Sequence, residues 1–196
     1  MKNKFITLLF AMALNLSPLD LTFADEFIFE VSNIEVIDNG NIYKGSNRGK
    51  VTTNNQIEII SNNFKYLKKT NQLEAYGDVI LIDAKNNIII NAEKIFYLKN
   101  QEKIYTLGKT LIKISNAYII EGSDLTLLKN EMILSSNKKT TISDNFSNFY
   151  TINKFEYSIN EEILKGEKIK LTTNYKKKKS DKYFFETGFI NLKENK

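Results

Sequence analysis

The chain has 196 residues and a formal net charge of +5, with no histidine and no cysteine. No Ser-His-Asp or Cys-His nucleophile can be built from it, and the commonest zinc ligands are missing. Every basic residue except Arg48 is lysine, in a background rich in Asn and Ile. The charge therefore permits an anionic partner without the arginine forks that recognise phosphate specifically.

In chain order, Lys2 and Lys4 precede an apolar run at 5–16, broken by Pro18 and followed by Thr22-Phe23-Ala24. Twelve such residues rise only about 18 Å as a helix, short of a bilayer core of about 30 Å. The pattern predicts a secretory signal over 1–24, with the mature chain starting near Asp25. Removing two lysines and one aspartate with that segment leaves +4. A secreted chain without cysteine must be held by its core alone, and export argues against a nucleic-acid partner.

Beyond residue 25 the alternation has period two. "LEAYGDVILID" sets Leu73, Ala75, Gly77, Val79 and Leu81 against Glu74, Tyr76, Asp78, Ile80 and Ile82. "IYTLGKTLIKIS" sets Ile104, Thr106, Thr110, Ile112 and Ile114 against Lys109 and Lys113. These are half-buried strands. Turn clusters separate them, at "DNGN" 38–41, "TNNQ" 53–56, "KKTNQ" 68–72, "KNN" 85–87 and "KNQEK" 99–103. No stretch keeps a 3.6-residue stripe, and the only proline is Pro18. An all-β chain of many short strands is expected.

The strands repeat. Residues 56–77 align without a gap on 87–108, thirty-one residues later: Ile57 meets Ile88, Ile59 meets Ile90, Tyr66-Leu67-Lys68 meets Tyr97-Leu98-Lys99, and Gly77 meets Gly108. A degraded third copy puts Ile120, Leu125, Leu127 and Leu134 thirty residues after Ile90, Ile95, Tyr97 and Ile104. A fainter fourth has Phe155, Tyr157 and Gly166 in the places of Phe64, Tyr66 and Gly77. Fixed-period units of strands predict stacked layers, each covering the apolar face of the next. The expected fold is a layered antiparallel β-sandwich or jelly roll, with the repeated glycines at bends or bulges.

The Tyr-containing strand, the turn, "LEAYGDV" and then "IIINAEKIFY" resemble the OstA-like repeats of lipopolysaccharide transport proteins. That family includes the periplasmic bridge protein LptA and the amino-terminal periplasmic domain of LptD. The opening "ADEFIFEVSNIEVIDNGNIYKG" and closing "DKYFFETGFINLKENK" are more similar to the LptD version, which continues into an outer-membrane barrel. The resemblance covers nearly all of residues 25–196. It implies an open, V-shaped jelly roll, located in the periplasm and associated with the outer membrane, whose interior holds lipopolysaccharide acyl chains. No cofactor, metal or catalytic residue is expected.

On that reading the inward, lipid-binding face is Ile57, Ile59, Ile88, Ile90, Ile112, Ile114, Ile120, Leu125 and Leu127. Acyl chains gain about 0.8 kcal/mol per buried methylene, so an aliphatic trough needs no specific contact. From the residues alone a dry core is favoured, since apolar strand faces normally pack against one another. The first and last apolar stretches, "EFIFEVSNIEV" and "KYFFETGFINL", are expected to accept a neighbouring jelly roll by edge-strand pairing. A carbohydrate-binding or adhesive envelope β-sandwich is the alternative from another class, and a free-standing LptA-type bridge is the alternative within the family. Other features read as solvated: the lysines at 176–179, which could meet lipid phosphates, and the adjacent acids Glu161 and Glu162 in an apparent turn.

Overall fold

Wherever the sequence alternates, a strand forms. Leu73, Ala75, Val79 and Leu81 of β5 (Gln72–Asp83) are buried, while Tyr76 and Asp78 face solvent. The computed structural model describes residues 27–115, 117–173 and 180–193; the expected signal segment and the lysines at 176–179 lie outside the described residues.

The strands are β1 (Phe27–Ile37), β2 (Ile42–Thr53), β3 (Ile57–Ser61), β4 (Asn63–Leu67), β5, β6 (Ile88–Leu98), β7 (Lys103–Ile114), β8 (Tyr118–Ser123), β9 (Thr126–Leu128), β10 (Ile133–Ser136), β11 (Thr140–Asp144), β12 (Phe149–Ile152), β13 (Lys154–Ser158), β14 (Ile163–Thr172) and β15 (Lys182–Asn191). They join into one sheet in the order β1-β2-β3-β5-β6-β7-β8-β11-β12-β14-β13-β10-β9. β4 also pairs with β2 and β5, β15 with β14, and β9 with β7. Every pairing is antiparallel.

One sheet makes two layers because its long strands bend midway. The first half of β5 pairs with β4 and its second half with β3. Between the halves, Gly77 (φ 81°) and Asp78 (φ 50°) take left-handed conformations and the register with β6 jumps. Gly108 (φ 76°) does the same in β7, thirty-one residues later. A side chain there would be strained by that φ and would collide with the Glu93 carboxylate. The repeated glycines thus mark a line of bends shared by both layers.

Gly166 departs from the expected pattern. It has no left-handed φ; that conformation falls two residues later, at Lys168 (φ 52°). Its missing Cβ instead makes room for Ile152, whose Cγ2 would lie 2.7 Å away. The fourth copy of the repeat therefore keeps the glycine but moves the bend.

Opposite the line of bends, the layers end in two separate rows of turns. The first-layer row joins β2 to β3, β5 to β6, β7 to β8 and β11 to β12; the second-layer row joins β1 to β2, β4 to β5, β6 to β7, β9 to β10 and β13 to β14. Backbone hydrogen bonds stitch the second row together, with Lys68 N to Asn41 O, Lys99 N to Asn71 O, Lys129 N to Glu102 O and Ile159 N to Met132 O, all between 2.8 and 3.1 Å.

Candidate lipid-binding interior

The alternation that defines each strand also lines up the strands. In the first layer, cross-strand partners form one unbroken ladder: Phe29, Val51, Ile59, Leu81, Ile90, Ile112, Ile120, Ile142, Tyr150, Leu171 and Tyr183. The second layer carries its counterpart: Val36, Tyr43, Tyr66, Leu73, Tyr97, Ile104, Leu127, Leu134, Tyr157, Leu164 and Ile190. Each ladder runs the whole length of the sheet, from β1 to β15. Directly opposed pairs of this kind are what stabilise a sheet face.

The nine residues read as the inward face are all buried. Ile57, Ile59, Ile88, Ile90, Ile112, Ile114 and Ile120 belong to the first layer, Leu125 and Leu127 to the second. None is more than 4% exposed, and all nine belong to one buried cluster. They pack against one another and against large side chains of both layers, including Phe64, Tyr97, Tyr150 and Tyr157. The aromatic share of this interior was missed in the sequence. Its signal was there: Tyr66 and Tyr97 occupy the same repeat position, two residues after an apolar partner.

The buried tyrosines anchor the rim opposite the bends. Tyr97 Oη donates to Glu102 Oε2 at 2.6 Å, and Tyr118 Oη to Glu162 Oε2 at 3.1 Å. Glu162, expected to be merely solvated, therefore ties the second-layer row of turns to Tyr118 in the first. Burial pushes the hydroxyls of Tyr118, Tyr150 and Tyr157 well above the ordinary tyrosine range, and neighbouring carboxylates add to it.

A charged cluster completes this seam. Buried Lys129 lies 3.3 Å from Glu102 Oε2 and 3.9 Å from Asp83 Oδ2, so it bridges second-layer and first-layer turns. Asn55 reaches Glu102 at 3.5 Å, and Lys99 pairs with the same carboxylate. Burial pulls the Glu102 carboxyl upward, but the hydrogen bonds from Lys99 and Tyr97 and the charges of Lys129 and Lys99 hold it below its usual value. Phe27 adds edge-to-face contacts with Tyr66 and Tyr97, at centroid distances of 5.1 and 5.7 Å. The seam is made of side chains; among the described residues no strand crosses it.

At each end one ladder runs out uncovered, the second at β1 and the first at β15. Inward-facing Ile34 and Val36 of β1 are 48% and 55% exposed, and inward-facing Tyr183 and Phe185 of β15 are 47% and 45% exposed. Among the described residues β1 pairs only with β2 and β15 only with β14, so each presents a free backbone edge. Among the described residues no helix is long and apolar enough to cross a membrane.

This geometry has a counterpart among solved structures. The chain matches the crystal structure of LptH from Pseudomonas aeruginosa, described as the LptA homologous periplasmic component of the conserved lipopolysaccharide transport device. The match has a TM-score of 0.52 at 11% identity, and covers 65% of this chain and 93% of LptH. This chain has that fold. The sequence matches no family model and no curated protein. The repeat pattern and the LptH fold thus agree on a layered antiparallel β-jelly roll.

Proposed function

We propose that this chain is a periplasmic conduit domain for lipopolysaccharide transport and assembly at the outer membrane. Acyl chains lie between the two layers, against Ile57, Ile59, Ile88, Ile90, Ile112, Ile114, Ile120, Leu125 and Leu127. The sugar and phosphate parts stay outside. The observation that carries this reading is the pair of ladders that run from end to end, the second finishing half exposed at Val36 of β1 and the first at Tyr183 of β15. A core that served only stability would be expected to cover its own ends, because each exposed large aliphatic or aromatic side chain forfeits about 1.5–3 kcal/mol of burial.

Loading requires the layers to part, since side chains fill the interior. The bend line is continuous backbone, whereas the seam is held by Lys129, Glu102, Tyr118 and Phe27 contacts, so the seam is the edge that opens. At each end, the free edge of β1 or β15 accepts the terminal strand of a neighbouring jelly roll, joining interior to interior. The likeness to LptH, a periplasmic component of a lipopolysaccharide transport device, supports the transport part of this reading.

A photo-crosslinking residue placed at Ile59, Ile90, Ile112 or Ile120 tests the proposal. Each is expected to capture lipopolysaccharide in cells, while the same probe at Lys109 or Lys113, on the outer face, captures none. Equal capture at both sets, or none at the inward set in a folded protein, rejects the conduit.

A further inference from the structure

End-to-end stacking accounts for the exposed ladder ends but not for the outer face of the first layer. Strands β3, β5, β6, β7 and β8 carry consecutive apolar residues there, so they are apolar on both sides. Ile60, Ile80, Ile82 and Leu111 point outward and are half-buried by their neighbours; Ile89 and Ile119 are 38% and 41% exposed. The outer face of the second layer is different. Its central row, Lys65-Glu74-Phe96-Tyr105-Thr126-Ser135-Glu156, is mainly polar and charged. Strands with apolar residues on both faces normally belong to sheets covered on both sides.

The charges around this patch say what covers it. One outward row reads Glu58-Ile82-Ile89-Lys113, acid to base with two isoleucines between. The adjacent row reads Lys50-Ile60-Ile80-Asn91-Leu111-Glu121, base to acid. Place a two-fold axis in the plane of contact, running along the strands between β5 and β6. Each row then lies on its own reverse. Glu58 meets Lys113 of the copy, Lys50 meets Glu121, Ile82 meets Ile89 and Ile60 meets Leu111. Both charge contacts are of opposite sign and four apolar positions coincide, while Ile80 meets Asn91 and Ile119, one strand beyond Lys113, meets Thr52. Lys113 and Glu121 make no ion pair within the chain, among the described residues. Glu58 and Lys50, 3.9 Å apart, would join them in a four-charge network. The patch ends at Asp78 and Glu93, beside the bulges where the strands turn into the second layer.

We propose that the outer face of the first layer is a docking surface for a second copy of this chain, packed back to back in a closed two-fold dimer. Isologous contact of this kind needs self-complementarity, which these two rows have. It leaves the free edges of β1 and β15 clear, with the two interiors lying side by side and running in opposite directions.

Sedimentation of the secreted protein over a wide concentration range tests this, with circular dichroism as the control for folding. The wild type is expected to close at two chains. Ile89→Lys, Glu58→Lys and Lys113→Glu should each weaken the dimer at least tenfold. Mixing equal amounts of Glu58→Lys and Lys113→Glu should restore it, because both cross-chain charge pairs become opposite again. If Glu58→Lys does not fold, the double variant Glu58→Lys/Lys113→Glu provides the same rescue in one chain. A wild-type monomer overturns the proposal, as does a dimer indifferent to all three variants. Loss with Ile89→Lys but no response to charge reversal also overturns it. Binding of anionic phospholipid vesicles, lost in Ile89→Lys without any dimer, would assign the face to a membrane surface instead.

Discussion

Tyr97 and Glu102 share a hydrogen bond of 2.6 Å, and through it one of the largest fully buried side chains reaches the charged seam at the rim. The tyrosine belongs to the interior ladder and the carboxylate to the cluster that holds the layers together. Interior packing and rim closure are therefore one structure.

The Glu102 carboxyl is held below its ordinary value by that hydrogen bond, by Lys99 and by Lys129, against the opposing effect of burial. A carboxyl depressed in the fold stabilises it above the unfolded-state pKa, near 4.5, and the contribution is lost as pH falls through the folded value. Glu102→Gln should cost about 1.5–3 kcal/mol at pH 7, the range for a hydrogen bond to a charged group. The gap between variant and wild type should close below pH 4. Urea unfolding at several pH values measures it; a pH-independent gap would disprove the assignment.

The opposite limb concerns Tyr118, Tyr150 and Tyr157. Burial raises all three hydroxyl pKa values, so their contribution to stability is full below the unfolded value and lost as pH rises above it. Unfolding should set in above pH of about 10, the ordinary tyrosine value. The chain has no tryptophan, so tyrosinate absorbance reports it directly. These tyrosines should ionise together with the loss of β-sheet dichroism and not before.

Ile112 sits between Ile90 and Ile120 in the first-layer ladder, 1% exposed. Ile112→Ala should cost about 2–5 kcal/mol through lost burial and a residual cavity. Ile112→Asp should abolish the fold at neutral pH, since an unpaired buried carboxylate costs several kcal/mol. Because that cost falls on the lipid-free fold, unfolding of Ile112→Asp does not separate a conduit from a dry core. A midpoint for Ile112→Ala within 0.5 M urea of wild type would contradict the observed packing.

Gly108 bends β7 at φ 76°, with the Glu93 carboxylate where a Cβ would sit. Gly108→Ala should cost about 1–3 kcal/mol from the left-handed conformation alone. Glu93→Ala in the same chain should recover only the steric part. Thermal unfolding of the single and double variants would show whether backbone or contact dominates.

Much of this architecture is legible in the repeat. Strands β3 to β7, their inward residues and the special role of Gly77 and Gly108 all follow from alternation and spacing. What the repeat does not reveal is which ladder faces which. Tyr97 and Ile90 lie on one strand, yet they belong to different layers because Ala92 and Lys94 flank a register jump. Nor does the sequence reveal the seam. "KNQEK" reads as a solvated turn, but Lys99 and Glu102 are largely buried beside Lys129, a partner twenty-seven residues away. Such pairings depend on how the sheet folds over, and no local pattern encodes that.

The repeat also makes the size of the interior countable. Each thirty-one-residue unit adds two crossings of the sheet, and adjacent strands lie about 4.8 Å apart, so one more unit would extend the cavity by about 10 Å. The stitched turns at the rim bond only to their immediate neighbours, so a duplicated unit would disturb little beyond its own borders. Distance along the axis is in this sense a whole number of repeats, open to change by duplication or loss of a single stretch of coding sequence.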